Sequence, residues 1–256
     1  GLDAALQGTR RPDALIAGGG DGTISAAAGR CWKAGVPLGV LPAGTMNLFA
    51  RSLAMPLDVR EAVDTLAAGE GRAVDIATAN GIPFIHQFSI GLHARMVQIR
   101  DQMEFRSGAG KVIASTRALV ASPFGPPAFP MNFRLGANEG KAAMVSTVSV
   151  SNNLFGEGHL PYADDPAGGV LGFYFHPELT VTEGFSFVWK AARGRLSEIE
   201  NLEISAADRI ELAFPRHRRS ARAIIDGEVH RLARKVEVVS HRRDLKVLAP
   251  RRGAQD

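Results

Sequence analysis

Residues Leu15 to Thr23 read LIAGGGDGT. An apolar run, Leu15 to Ala17, breaks into three glycines, an aspartate, a glycine and a threonine, the pattern of a buried strand that delivers a tight loop into a helix. Such a loop can cradle phosphate. Glycines permit positive φ and close approach of a ligand to the main chain, and the first amides of the following helix offer unpaired donors at the positive end of its dipole. The carboxylate of Asp21 fits a phosphate loop if it serves a metal ion, a hydroxyl or a ribose rather than phosphate itself. The loop therefore implies a nucleotide plus a cation; the plainer alternative is a strand-to-helix corner whose glycines only make the bend.

Outward from the loop, Asp13 to Ala17 is expected as a strand and Ile24 to Ala34 as its helix, closed by Gly35. Pro37 to Leu41 is a second short apolar run ending in a turn at Pro42 to Thr45. Strand, helix, strand is the signature of a parallel βαβ unit, whose ligand crevice lies beyond the carboxyl ends of the strands. Both turns fall there. In Leu41 to Arg51, LPAGTMNLFAR, Gly44 can bend the chain close to a ligand, Thr45 offers a hydroxyl and an amide, and Asn47 offers a side-chain amide. Met46 to Leu53 and Asp58 to Ala68 are expected helices, the second with Asp58 and Glu61 spaced as a capping box.

From Arg72 the period changes. Ala73 to Ala79, the turn Asn80-Gly81 and Ile82 to Ile90 form a hairpin signal. Helices are expected at Arg95 to Phe105, Lys111 to Ala121 and Phe185 to Arg193. Met131 to Leu135, Ala143 to Val150, Val170 to Phe175, Leu202 to Ile204, Arg209 to Phe214, Arg222 to Ile225, Glu228 to Leu232, Val236 to Ser240 and Leu245 to Leu248 are expected strands. Many short strands with turn signals argue for a β-sandwich. The fold class is thus an N-terminal α/β, doubly wound-like nucleotide domain over 1–71, truncated at its start, followed by a C-terminal β-sandwich over 72–250 with helical insertions.

The composition fits a globular chain. Of 256 residues, 45% are hydrophobic and 22% charged, enough to bury a core. No apolar run approaches the roughly 20 residues of a membrane-spanning helix. The single cysteine, Cys31, excludes an internal disulfide and makes a reducing cytoplasmic location the expectation. The net charge of +4 owes much to arginines of the last quarter, a surface that attracts anionic headgroups, nucleic acid or nucleotide phosphates. The seven histidines show no paired spacing for zinc.

The last motif is IIDGEVH, Ile224 to His230. Asp-Gly between alternating apolar residues is a type I′ hairpin turn, and Glu228 follows it at a sheet edge. A carboxylate held there, facing the glycine loops, would suit a general base. Gly19 to Thr23 (GGDGT), Pro42 to Asn47 (PAGTMN), Ser89 to Gly91 (SIG) and Asp226 to Glu228 (DGE) together resemble the diacylglycerol kinase catalytic-domain family, which includes bacterial lipid kinases and sphingosine and ceramide kinases and shares a superfamily with NAD kinases.

The resemblance implies an ATP-dependent lipid kinase that transfers the γ-phosphate to the hydroxyl of a diacylglycerol-like or related lipid. ATP and Mg²⁺ would sit between the two domains. Gly19, Gly20, Asp21, Gly22, Thr23, Gly44, Thr45 and Asn47 would bind the nucleotide, with Asp21 organising Mg-ATP and Glu228 as catalytic base; the metal ligands stay open. A lipid at the inner membrane face is the implied partner, with peripheral membrane association, homodimerisation as an option and no nucleic acid. Three departures stand against the family pattern: its first strand and NPxSG-type loop would precede Gly1, Leu48 follows Asn47 where many members have Asp, and Gly168-Gly169-Val170-Leu171 replaces a DGxL segment, with Asp164 and Asp165 as possible substitutes. The alternatives are an NAD kinase-like enzyme, although no Asn-Glu pair follows the glycine loop, and a nucleotide- or lipid-binding module without catalysis.

Overall fold

The structure is a computed structural model that describes residues 6, 8, 11–92, 128–216 and 220–251. The helices expected at Arg95 to Phe105 and Lys111 to Ala121 lie outside the described residues. The N-terminal half runs β1 (Leu15–Gly19), α1 (Asp21–Ala34), β2 (Leu38–Pro42), α2 (Leu48–Ser52), α3 (Val59–Ala68) and β3 (Glu70–Ala79). After these come β4 (Ile82–Phe84), β5 (Gln87–Gly91), β6 (Phe129–Leu135), β7 (Lys141–Val145), β8 (Thr147–Asn152), β9 (Leu171–His176) and α4 (Val181–Ala192). The chain ends in β10 (Glu203–Ala207), β11 (Arg209–Ala213), β12 (Arg222–Ile225), β13 (Glu228–Arg231) and β14 (Lys235–Ala249).

Two sheets result. One follows the order β1-β2-β14-β11-β6-β7, with β3 on β14 and β4 on β3; the other is β10-β9-β8-β5-β12-β13. Among the described strands β1 pairs with β2, and β14 with β2, in parallel; the other pairings are antiparallel. Side chains from both sheets meet in one core, among them Phe84, Met131, Ile210 and Val238 from the first and Phe88, Val150, Phe173 and Ile225 from the second. A second core packs Ile24, Ala28 and Cys31 of α1 against Leu38, Val40, Val74 and Val247. The architecture is therefore an α/β unit joined to a two-sheet β unit, as expected.

β14 is the spine that joins the two. Its first half pairs with β11, its second half with β2, and β3 runs antiparallel along it, so the expected junction at residue 71 falls inside a continuous strand. The two strands expected at Val236 to Ser240 and Leu245 to Leu248 are one, interrupted by an irregularity between His241 and Leu245. Fully buried Asp75 of β3 stabilises that break: its Oδ1 accepts the amide of Arg243 at 2.7 Å, and its Oδ2 accepts that of Gly169 at 2.6 Å. Arg243 has φ 50°, a conformation of the left-handed region that a bulge can impose on a non-glycine residue.

Local chemistry sets the element ends. Asn80 and Gly81, with φ 48° and 79°, make the predicted I′ hairpin between β3 and β4. Asp58 caps α3, accepting the amides of Arg60 and Glu61 at 2.9 and 3.1 Å. α4 begins four residues earlier than expected because Thr180 and Glu183 form a complete capping box.

Candidate active site

The site is built where β1 and β2 end. Gly20 is extended, with φ −83° and ψ 178°, and α1 starts at Asp21 with no side-chain cap. The amides of Asp21, Gly22 and Thr23 therefore open the helix without a partner in its own first turn, and its positive dipole end faces the loop. Ala43 donates to the carbonyl of Gly19 at 3.1 Å, which carries the strand pairing one residue past β2.

The second loop is pressed onto the first. A Cβ placed on Gly44 would run into the Cα of Gly20, so only glycine allows the two backbones to meet. Asn47, at φ 52° and 8% exposed, closes its own turn: Gly44 N–H donates to its Oδ1 and its Nδ2 donates to Gly44 O, both at 2.9 Å. Its amide thus shapes the loop instead of standing free beside it. Asp21 also has a structural task, its Oδ1 accepting the Leu48 amide at 2.6 Å and so capping α2 from the opposite loop. Thr23 and Thr45 are exposed at the rim.

Gly44→Ala is accordingly expected to force the loops apart, since backbone and not a flexible side chain blocks the methyl group. The cost of such overpacking is about 1–3 kcal/mol. A lower melting midpoint would be measured; an unaltered midpoint would contradict the tight apposition.

Glu228 comes from the far end of the chain. Asp226 and Gly227, with φ 46° and 88°, make the turn between β12 and β13 and leave Glu228 opposite Ile225. There its Oε1 lies 3.4 Å from where a Cβ on Gly22 would be. Gly22 and Glu228 thus line one cleft, while Gly19, Gly20, Asp21, Gly22 and Thr23 lie on the first loop and helix start, against which the second loop with Gly44, Thr45 and Asn47 is packed through the Gly20–Gly44 contact.

Two residues that sequence reasoning left unassigned complete the arrangement. Asp226, treated as a turn residue only, is 7% exposed and accepts four hydrogen bonds: Ser25 Oγ at 2.6 Å, Ile85 N at 2.8 Å, His86 N at 3.0 Å and Gln87 N at 2.9 Å. Burial pushes its carboxyl above the usual range, and these donors pull it back. It clamps α1, the β4–β5 crossing and the β12–β13 turn to one another.

His86 lies beneath the loops in a small cavity lined also by Phe49 and Ser52 of α2 and by Asn152. Its ring packs 5.3 Å from Phe155. Burial pushes the imidazole down to about 4, partly offset by the negative charge of Asp21. Because this value is below that of an unfolded histidine, the folded state resists protonation. Its contribution to stability is complete above about pH 6.5 and is lost as pH falls toward 4, by up to about 3 kcal/mol. Denaturant midpoints across pH 7 to 4 should fall more steeply for the wild type than for His86→Asn; parallel curves would contradict this.

Among the described residues no group of three His, Cys, Asp or Glu side chains forms a metal cage. Asp164 bonds His159 at 2.8 Å and Asp165 accepts the Ala167 amide at 3.0 Å. The chain's fit to a metal-bound nucleotide rests instead on Asp21, whose second oxygen has no protein donor among the described residues, beside the open amides of α1. No described helix is long and apolar enough to cross a membrane.

Comparison with known proteins bears on the same loops. Residues 3–79 match the diacylglycerol kinase catalytic domain. An uncharacterized protein of Synechocystis is 28% identical over 190 residues, covering 72% of this chain and 42% of that protein. A diacylglycerol kinase of Staphylococcus saprophyticus is 40% identical over 86 residues, 33% of this chain and 28% of the enzyme. The chain thus spans less than half the length of these relatives. A crystal structure of a diacylglycerol kinase from Bacillus anthracis superposes with a TM-score of 0.66 at 17% identity, covering 93% of this chain and 76% of the other, a likeness of fold. The segment that carries both glycine loops, within residues 3–79, is thus the part of the chain that matches the diacylglycerol kinase catalytic-domain family.

Proposed function

We propose that the chain is an ATP-dependent lipid kinase that transfers the γ-phosphate to the hydroxyl of a diacylglycerol-like or related lipid. The match of residues 3–79 to the diacylglycerol kinase catalytic domain supports a phosphotransferase, and the observation that carries the finer reading is the Glu228 carboxylate at the first turn of α1. In this reading the amides of Asp21, Gly22 and Thr23 hold the terminal phosphates, and Gly44 brings the backbone of the second loop against them. The free oxygen of Asp21 would hold Mg²⁺, which when bound neutralises charge on the transferring phosphoryl group. Glu228 takes the proton of the acceptor hydroxyl and orients that oxygen for in-line attack. The enzyme would work at the inner face of the membrane, where its lipid acceptor is presented.

Labelled ATP, Mg²⁺ and a lipid extract test the assignment. A labelled lipid is expected from the wild type and not from Asp21→Asn or Glu228→Gln. Labelling that persists in both variants would remove their roles, and phosphorylation of NAD in place of lipid would overturn the acceptor class.

A further inference from the structure

One end of the two-sheet unit collects cations. Arg222 of β12 and Arg231 of β13 are direct cross-strand partners, and both are exposed. The Leu232 amide donates to the carbonyl of Ala221 at 3.1 Å and the Phe214 amide to that of Arg234 at 3.0 Å, while Lys235 stands opposite Ala213. The ends of β11 and β13 and the starts of β12 and β14 therefore lie side by side. Exposed Arg216, Arg222, Arg231, Arg234 and Lys235 share this end of the molecule. None of the residues gathered at the candidate active site belongs to it.

This positive charge is not balanced within the fold. No Asp or Glu occurs in residues 212–225 or 229–236. Among the described residues none of the five cations takes part in an ion pair, and the contact that Arg222 makes, Nη1 to the neighbouring carbonyl of Ala221 at 3.2 Å, leaves its charge uncompensated. Like charges directly opposite on a ladder, with Cβ atoms about 5 Å apart, oppose the strand pairing. An arginine pair kept where a neutral pair would cost nothing answers a demand from outside the fold.

The neighbours of the pair select the partner. Val229, 44% exposed, lies two residues before Arg231 and on the same side of β13, so an apolar side chain stands beside the cations. That combination suits the surface of an anionic bilayer, where cations meet headgroup phosphates and an apolar side chain reaches toward the acyl boundary. Nucleic acid fits less well. Phe214, the one Phe, Tyr or Trp in residues 212–236, is buried and offers no stacking platform. β12 is held between β5 and β13 in the second sheet, so these strands present no free two-stranded ribbon to a major groove.

We propose that this end of the molecule is a docking surface for an anionic phospholipid bilayer, with Arg222, Arg231, Arg234 and Lys235 against headgroup phosphates and Val229 at the interface. The contact is electrostatic and needs no nucleotide. It rests on the lipid kinase reading in one respect, the placing of the protein at a membrane.

Cosedimentation of the full chain with vesicles, in the absence of ATP, tests the surface. Wild type should partition onto phosphatidylcholine vesicles that contain about 30% phosphatidylglycerol, should ignore pure phosphatidylcholine, and should be released by about 0.5 M salt. Arg222→Gln, Arg231→Gln, Arg234→Gln and Lys235→Gln together should weaken partitioning about twentyfold or more, since each cation near an anionic surface contributes about fivefold. The melting midpoint of that variant should hold or rise, because the opposed arginines are gone. Arg222→Lys with Arg231→Lys keeps the charge and should keep binding; loss of binding there would make the pair a structural element and overturn the proposal. Equal binding by wild type and the four-residue variant would also overturn it, as would tighter binding of duplex DNA than of the anionic vesicles at the same salt. Lipid phosphorylation in neutral-detergent micelles is scored apart. If wild type phosphorylates no lipid while the vesicle results stand, the kinase reading fails and the surface remains; if micellar turnover is present and vesicle binding absent, the surface fails alone.

Discussion

Glu228→Gln is expected to lower kcat by about 10²–10⁴-fold, the range for loss of a positioned general base. The ATP KM should stay within a few-fold and the melting midpoint should not move. The substitution is nearly isosteric, and the side chain is exposed with no hydrogen bond to another described residue. Packing and folding therefore have little to lose. What changes is the carboxylate oxygen offered to a substrate hydroxyl beside Gly22, where Oε1 lies 3.4 Å from the place a Cβ on that glycine would take. A fall in kcat and kcat/KM together would mark an interaction made in the transition state, whereas a rise in lipid KM alone would make Glu228 a binding group. Unchanged turnover would remove the carboxylate from the chemistry altogether. Asp21 gives a less separable result, because its Oδ1 also holds the Leu48 amide; alanine there would disturb α2 and the metal-facing oxygen at once, and asparagine is the cleaner comparison.

The glycine loops were legible in the sequence because their cause is local. Gly44 must lack a Cβ for its backbone to touch that of Gly20, and that requirement is written as glycine at position 44. The Asn80-Gly81 and Asp226-Gly227 turns were legible for the same reason, each needing positive φ at both central residues. What escaped was long-range. Ile82 to Ile90 and Ala143 to Val150 each alternate like one strand, yet each divides between the two sheets, at Ile85–His86 and at Ser146. Alternation reports which side chains face a core, and here both sheets face the same core, so a strand can change sheets without breaking the pattern. The partner that turns the chain at Ile85 is Asp226, 141 residues away. In the same way β14 hides its continuity because the polar residues at its break, 242–244, look like a turn until Asp75 is seen to hold them. Asn47 was read as a residue offered to ligand, but its amide is committed to Gly44. Nothing in the type or spacing of an asparagine distinguishes the two uses.

Asp226 carries the largest expected effect on stability. Alanine there would leave the amides of Ile85, His86 and Gln87 and the hydroxyl of Ser25 without their acceptor, in a site where the carboxylate itself is buried and its donors are wholly or partly so. Each stranded buried donor costs about 1–3 kcal/mol, and because the four share one group the losses do not add; a total of about 3–5 kcal/mol is expected. That is a large fraction of the roughly 5–15 kcal/mol by which a domain is stable, and it corresponds to a melting midpoint lowered by roughly 10 °C. Asparagine discriminates shape from charge. Its single oxygen can keep the His86 and Gln87 amides and Ser25 can turn to accept from its nitrogen, but the Ile85 amide would face an NH₂ group, so about 1–3 kcal/mol remains lost. The pH dependence has a definite sign. Burial holds the carboxyl above its unfolded value, so its titration favours the fold most at pH below that value, and this contribution is lost as pH rises through the raised pKa. Asparagine should remove that slope while retaining most of the fold, and because residue 226 fixes the turn that aims Glu228, it should also raise the acceptor KM while leaving that for ATP nearly constant. A midpoint and acceptor KM both equal to wild type would show that the clamp does not hold the two halves of the cleft in register.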